Sequence, residues 1–424
     1  MTPPVEPVAA GRSSAPETPL RLLARDVRLQ RLLLWSFLAR IPLGVLTLAL
    51  FLGVQADSGS LRFAGAVSAA AVVGLAVSAP TQGWLLDRRG VPGVLGSFAA
   101  AHAGSLVLLV AVPLAAWPRW AALLLALVTG ATVPALSSCT RLVLRRSVPG
   151  ARVDTVFGID AVLLEVVYLA GPAAAAGAVS GLGLRLVLTG CAVLTVLGTA
   201  AFCRAAAPAG LRVDGGVVPE GGPPTSSKGC GAASAGVSAL VCFVLGMTLL
   251  ALPFGVMEAA LAQRAVEAGE SSASVGVLLT MMGVGGVAGG ALHSLFPGRG
   301  APQVRFVAVA AGFGAGLSAC ALLSGPVAVG VAMLAAGLCA TPLAALSFRV
   351  LDLISPPGAW MQAQGWGVVA NTAGHAAELS LAVHVAAAEG ASAVFVLIAP
   401  AVLGGLLLSA PALRGRRTKA RTAG

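Results

Sequence analysis

The chain has 424 residues and very little charge: only 10% of its side chains are Asp, Glu, Lys or Arg. So few charges cannot clothe a water-exposed surface, which excludes a soluble globular protein. Aromatics are also sparse, at 5%, with a single tyrosine. The seven cysteines form no CxxC pair and no cluster with histidine, so neither a redox motif nor a structural zinc site is expected. No G-x4-G-K-[ST] loop occurs, so ATP is not expected to drive the protein directly. G-x-S-x-G and H-E-x-x-H are absent as well, leaving no catalytic residue, cofactor or metal site to expect and no enzyme activity.

What the chain has instead is apolar length. Hydrophobic residues make up 57%, with 54 glycines, and the mean hydropathy is +0.92. A helix needs about 20 residues to cross a hydrocarbon core of about 30 Å, at about 1.5 Å per residue. The runs predict spans over 32–54, 64–86, 93–116, 119–143, 154–180, 183–203, 237–261, 272–296, 303–324, 326–350, 361–386 and 391–412. They lack the period-2 alternation of an outer-membrane barrel, so the expected fold is an all-α membrane protein with twelve transmembrane helices. The first apolar run is too long for a secretory leader and no A-x-A site follows it. A long Gly/Pro/Ser stretch separates the sixth and seventh spans. It divides the chain into a disordered tail (1–31), a six-helix bundle (32–205), a linker (206–236), a second bundle (237–413) and a basic tail (414–424).

The net charge of +11 is a matter of location. Of the 27 basic residues, 22 fall in the tails and loops on the side of the termini, and four on the other side. That bias predicts both termini in the cytoplasm and removes nucleic acid as a partner. The lipid bilayer is the partner implied. Twenty-five of those residues are Arg, which with the Ala/Gly excess points to a GC-rich bacterial genome and hence a bacterial cytoplasmic membrane. Trp35, Trp84, Trp117, Trp120 and Trp360 lie near span ends, where interfacial anchors are expected.

The halves repeat. At an offset of 211, Pro42-Leu43-Gly44-Val45 matches Pro253-Phe254-Gly255-Val256, and Gly65, Gly74 and Arg88 fall on Gly276, Gly285 and Arg299. At an offset of 208, Pro134, Arg141, Pro149 and Gly150 fall on Pro342, Arg349, Pro357 and Gly358. Six spans per half keep the copies in the same orientation, so the repeat axis runs along the membrane normal.

After the second span the sequence reads Gly83-Trp84-Leu85-Leu86-Asp87-Arg88-Arg89-Gly90. It resembles the G-x-L-x-D-R-x-G signature of the major facilitator superfamily, which the twelve spans and the parallel repeat also match. The resemblance implies two six-helix bundles in the major facilitator fold and transport by alternating access. It also implies that Gly83, Asp87, Arg88 and Gly90 latch one conformation, with Asp87 facing the positive N-terminus of the eleventh span. In the second half the Asp counterpart is Gly298. The fifth span carries Gly158 and Gly171-Pro172 with the spacing of the family's antiporter motif, while Val167, Ala175 and Ala176 replace its other glycines. Gly171 and Pro172 are expected to kink that helix. Together with Arg40-Ile41-Pro42-Leu43-Gly44 and Pro356-Pro357-Gly358, this pattern resembles an actinobacterial branch of the superfamily, which brings no substrate with it.

Polar residues inside the spans mark the expected proton and substrate pathway. Glu165 lies about 16 Å into the fifth span, on one face with Gly158, Tyr168 and Pro172, while Asp160 points elsewhere. Arg40 lies about 12 Å into the first span, at a depth where a carboxylate of the fifth could pair with it. Gln364, Asn371, His375 and Glu378 form a stripe on the eleventh span, with His375 placed to share a proton with Glu378. Glu258 is shallower, toward the outer mouth. Arg141 reads as a residue of the cytoplasmic end, so the fourth span has no mid-membrane arginine of the kind found in many drug:proton antiporters. The expectation is a secondary transporter of a small organic solute, hydrophobic or amphipathic, with proton-coupled efflux first and uptake or uniport as the alternative. A transport-dead scaffold is the reading from another class.

Overall fold

A computed structural model describes residues 26–111, 118–148, 153–207, 230–267, 272–296, 300–323, 325–356, 358–389 and 395–414. Within these, the side chains of 230–236, of Glu258 and several neighbours, and of 375–389 lie outside the description. The described chain is helical. In order it forms α1 (Val27–Ser58), α2 (Leu61–Arg89), α3 (Val91–Ala111), α4 (Arg119–Ala131), α5 (Leu136–Ser147), α6 (Val153–Leu182) and α7 (Leu184–Ala206). The second half forms α8 (Cys230–Glu267), α9 (Ser272–Leu295), α10 (Pro302–Ala319), α11 (Pro326–Ile354), α12 (Trp360–Glu389) and α13 (Ile398–Arg414). Nine helical stretches among the described residues are long and apolar enough to cross a membrane.

The fourth span departs from expectation. It is not continuous over 119–143 but breaks between Ala131 and Leu136. Pro134 has no N–H to donate, and a proline disfavours helical backbone in the residue before it. The freed backbone is held by Gln82 of α2, which is buried. Its Nε2 donates to the carbonyls of Ala131 (3.3 Å) and Val133 (2.8 Å), and its Oε1 accepts from the Ala135 N–H (3.0 Å). The counterpart Pro342 sits inside the unbroken α11. A second difference lies at the linker: helix α8 begins at Cys230, so the last residues of 206–236 are helical.

Helices α1–α7 make the first bundle and α8–α13 the second. Small residues let helix backbones touch in the same way in both. A Cβ at Gly74 would strike the Leu127 carbonyl, and one at Gly285 would strike the Leu334 carbonyl at the repeat-related position. A Cβ at Gly171 would lie 2.6 Å from the Gly44 carbonyl, so α1 and α6 meet backbone to backbone at the residues flagged as a kink. Gly171 and Pro172 both lie inside the single helix α6.

The first bundle has two apolar clusters, one toward each membrane face. The one on the side of the termini includes Leu86, Leu136, Val156 and Phe157, and it also takes in Trp360 and Met361 from α12. The two bundles are therefore sealed together at that end by apolar burial as well as by charge. Trp360 is accordingly no interfacial anchor: it is 5% exposed and donates its Nε1–H to Asp352.

Candidate solute and proton pathway

Three buried charges are grouped together. Arg40 of α1 donates from Nη1 to Asp160 of α6 at 2.7 Å, and Arg141 of α5 approaches the other Asp160 oxygen at 3.9 Å. All three side chains are almost wholly buried. The carboxylate facing Arg40 is thus Asp160, which lies off the Glu165 face. Arg141 is a correction: it is not merely a residue of the cytoplasmic end. The break in the fourth span starts a new helix, and that helix carries Arg141 into the protein interior. There its Nε donates to Gln364 of α12 (3.2 Å) and its guanidinium stacks 3.8 Å from the ring of Phe348 in α11. One arginine so ties the first bundle's ion pair to two helices of the second bundle.

Exposure along the inward faces rises away from the termini. On α12, Gln364 is fully buried while Asn371, two turns further on the same face, is exposed. On α6, Asp160 is buried while Tyr168 shows 50% of its surface. Tyr168 is nonetheless close enough to Arg40, Arg141 and Glu165 to interact with their charges. Arg40, Asp160, Arg141 and Gln364 form a buried polar group where the two bundles meet.

Glu165 stands apart from the arginine pair. Gly286 of α9 brings the helices close there: a Cβ at that position would lie 3.1 Å from Glu165 Oε1 and 2.9 Å from the Thr341 hydroxyl of α11. The carboxylate is thus half-buried at the seam of the bundles, beside a hydroxyl of the opposite one. Glu258, His375 and Glu378 have side chains outside the described residues.

The end bearing the termini is closed by polar contacts that cross between bundles. Asp87 accepts the Met361 and Gln362 N–H groups, both at 2.9 Å, from the first turn of α12. Gly83 permits this approach, since a Cβ there would sit 2.6 Å from Gln362 Cα. Gly90 ends α2 with φ 84°, a conformation suited to glycine, and Arg88 lies over the Trp84 ring. On the other side of the seam, Asp154 of α6 pairs with Arg305 (2.8 Å) and Arg349 (2.9 Å) of the second bundle. Arg145 of α5 pairs with Asp352 of α11 at 2.8 Å, and Asp352 also holds Arg349 and Trp360. Sequence reasoning missed this network. Its only visible signal is the repeat position shared by Arg141 and Arg349.

No family model and no curated protein matches the sequence. Solved structures do match by shape. The human organic anion transporter TETRAN aligns with a TM-score of 0.64 at 16% identity, covering 93% of this chain and 100% of its own. A bacterial homologue of the iron transporter ferroportin, in an outward-facing state, gives 0.68 at 13% identity, with coverages of 92% and 99%. The major facilitator superfamily transporter FucP, in its outward conformation, gives 0.66 at 13% identity, with coverages of 91% and 98%. With its paired six-helix bundles and these full-length matches, the chain has the major facilitator fold.

Proposed function

We propose that the protein is a secondary transporter that carries a small organic solute across a bacterial cytoplasmic membrane by alternating access. The observation that carries this reading is the seam. Its closed end is held by Asp87 on the α12 N-terminus and by the Asp154 and Asp352 ion pairs, contacts that can break and re-form. At the other end the inward faces are exposed. Two bundles with a breakable seal on one side of a buried polar group can rock.

Both termini lie in the cytoplasm in this reading, so the state described is open outward. Glu165 is the proton carrier, because it has Thr341 across the seam for a neighbour whereas Asp160 is already engaged by two arginines. Proton-coupled export is the direction, supported by the spacing of Gly158 and Gly171-Pro172. One structural neighbour is an organic anion transporter and another a homologue of an iron transporter, so likeness of fold selects no substrate.

Reconstitution tests the proposal. Purified protein in liposomes, given a panel of solutes and a pH-sensitive dye, should give a solute-dependent proton signal that Glu165→Gln removes. Solute flux with no proton signal would instead establish a uniporter and assign Glu165 a structural part.

A further inference from the structure

Arg40 is engaged on one side only. Its Nη1 donates to Asp160, whereas Nε and Nη2 have no acceptor among the described residues although the residue is 2% exposed. Nε and Nη2 make up the side edge of the guanidinium, whose parallel N–H groups form the fork that receives an anion. Arg40 borders a cavity of about 30 Å³ inside the first bundle, together with His102, Pro134, Ser137 and Thr195. The Thr195 hydroxyl is also buried without a partner among the described residues.

The same cavity meets the break in the fourth span. Helix α5 starts there, and its N-cap, Ala135, has no side-chain acceptor to offer the first turn. The N-terminal end of that helix carries partial positive charge and N–H groups with no intrahelical acceptor. His102 is engaged elsewhere, with its Nδ1 2.9 Å from the Thr129 carbonyl. The ion pair nearby sets two arginines against one aspartate. An unused guanidinium edge, an unused hydroxyl and the start of a helix thus border one small cavity, beside two arginines and one aspartate.

We propose that this cavity is a binding site for a small monovalent anion of halide size, held by Arg40, Thr195 and the first turn of α5. The space is small and suits one such ion. Every lining residue belongs to the first bundle, so the site does not depend on the transport reading. The ion neutralises the second arginine charge of the Arg40, Asp160 and Arg141 group.

The test is thermal unfolding of the purified full chain in sodium chloride, sodium bromide or sodium gluconate at equal ionic strength. Chloride and bromide should raise the midpoint over gluconate with a saturable, one-site dependence. Thr195→Val should fold normally and weaken that dependence about tenfold, through loss of one buried donor, and Arg40→Gln should abolish it. Bromide soaked into crystals should give anomalous density beside Arg40. Equal midpoints in chloride and gluconate would overturn the proposal, as would a chloride effect that Thr195→Val leaves unchanged.

Discussion

Replacing Asp87 by Asn isolates the seal at the end bearing the termini. Met361 and Gln362 are the second and third residues of α12, so their N–H groups have no acceptor within the helix. Protection of these two amides from hydrogen exchange therefore reports directly on Asp87, which accepts both at 2.9 Å. A hydrogen bond to a charged group contributes about 1.5–3 kcal/mol, and a carboxylate at a helix N-terminus adds about 0.3–1 kcal/mol. Asparagine keeps one acceptor oxygen and loses the charge, so one bond disappears and the other weakens. The net loss is about 2 kcal/mol, equivalent to roughly 30-fold in the opening equilibrium. Exchange followed by mass spectrometry on peptides covering 359–363 should accelerate by about that factor, while peptides from α1 keep their protection. A change below about threefold would show that Asp87 does not hold the two bundles together, and the latch reasoning would fail.

Three further outcomes follow from the same geometry. Asp352→Asn should loosen Arg145, Arg349 and Trp360 together, seen as a red shift in the Trp360 emission obtained by difference from a Trp360→Phe variant; an unshifted spectrum would mean the ion pairs do not close the seam. Arg40→Met should lower stability by about 3–5 kcal/mol by leaving Asp160 short of its closest partner, and Arg40→Met with Asp160→Leu should recover part of that loss in thermal unfolding. If the double variant is no better than the single, the pair is not the source of the loss. Gln82→Leu should cost about 3 kcal/mol, because the Ala131, Val133 and Ala135 backbone groups lose their partner inside the bundle. Equal unfolding midpoints for Gln82→Leu and wild type would show that the break is held by something else.

The all-helical fold was legible because it rests on local pattern. Apolar length alone places α1, α2 and α6, and the paired Gly74 and Gly285 contacts follow the 211-residue offset. The seam was not legible. Asp154 meets Arg349 across 195 residues and Arg145 meets Asp352 across 207, and near the ends of spans such residues look like ordinary topology signals. Arg141 was placed too shallow for a related reason: its depth depends on a break in the helix before it. Pro134 and Pro342 occupy matching positions, yet only the first interrupts its helix. Gln82 supplies the donors and acceptor that make the interruption tolerable, and the residue at the matching position in the second half is His293, which contacts Arg305 instead.

The Arg40, Asp160 and Arg141 group also bears on how the chain enters the membrane. Its members arrive in the order first, fourth and fifth span, and an isolated Arg or Asp at the centre of a membrane helix raises the insertion free energy by about 2.5–3.5 kcal/mol. The first span is therefore expected to linger at the insertion machinery, unpartnered, until the fifth emerges with Asp160. A stalled nascent chain that ends after the fourth span should crosslink to the translocon through the first. One that ends after the fifth should not, because by then the ionised side chains have found one another and the helices can leave for the lipid as a group.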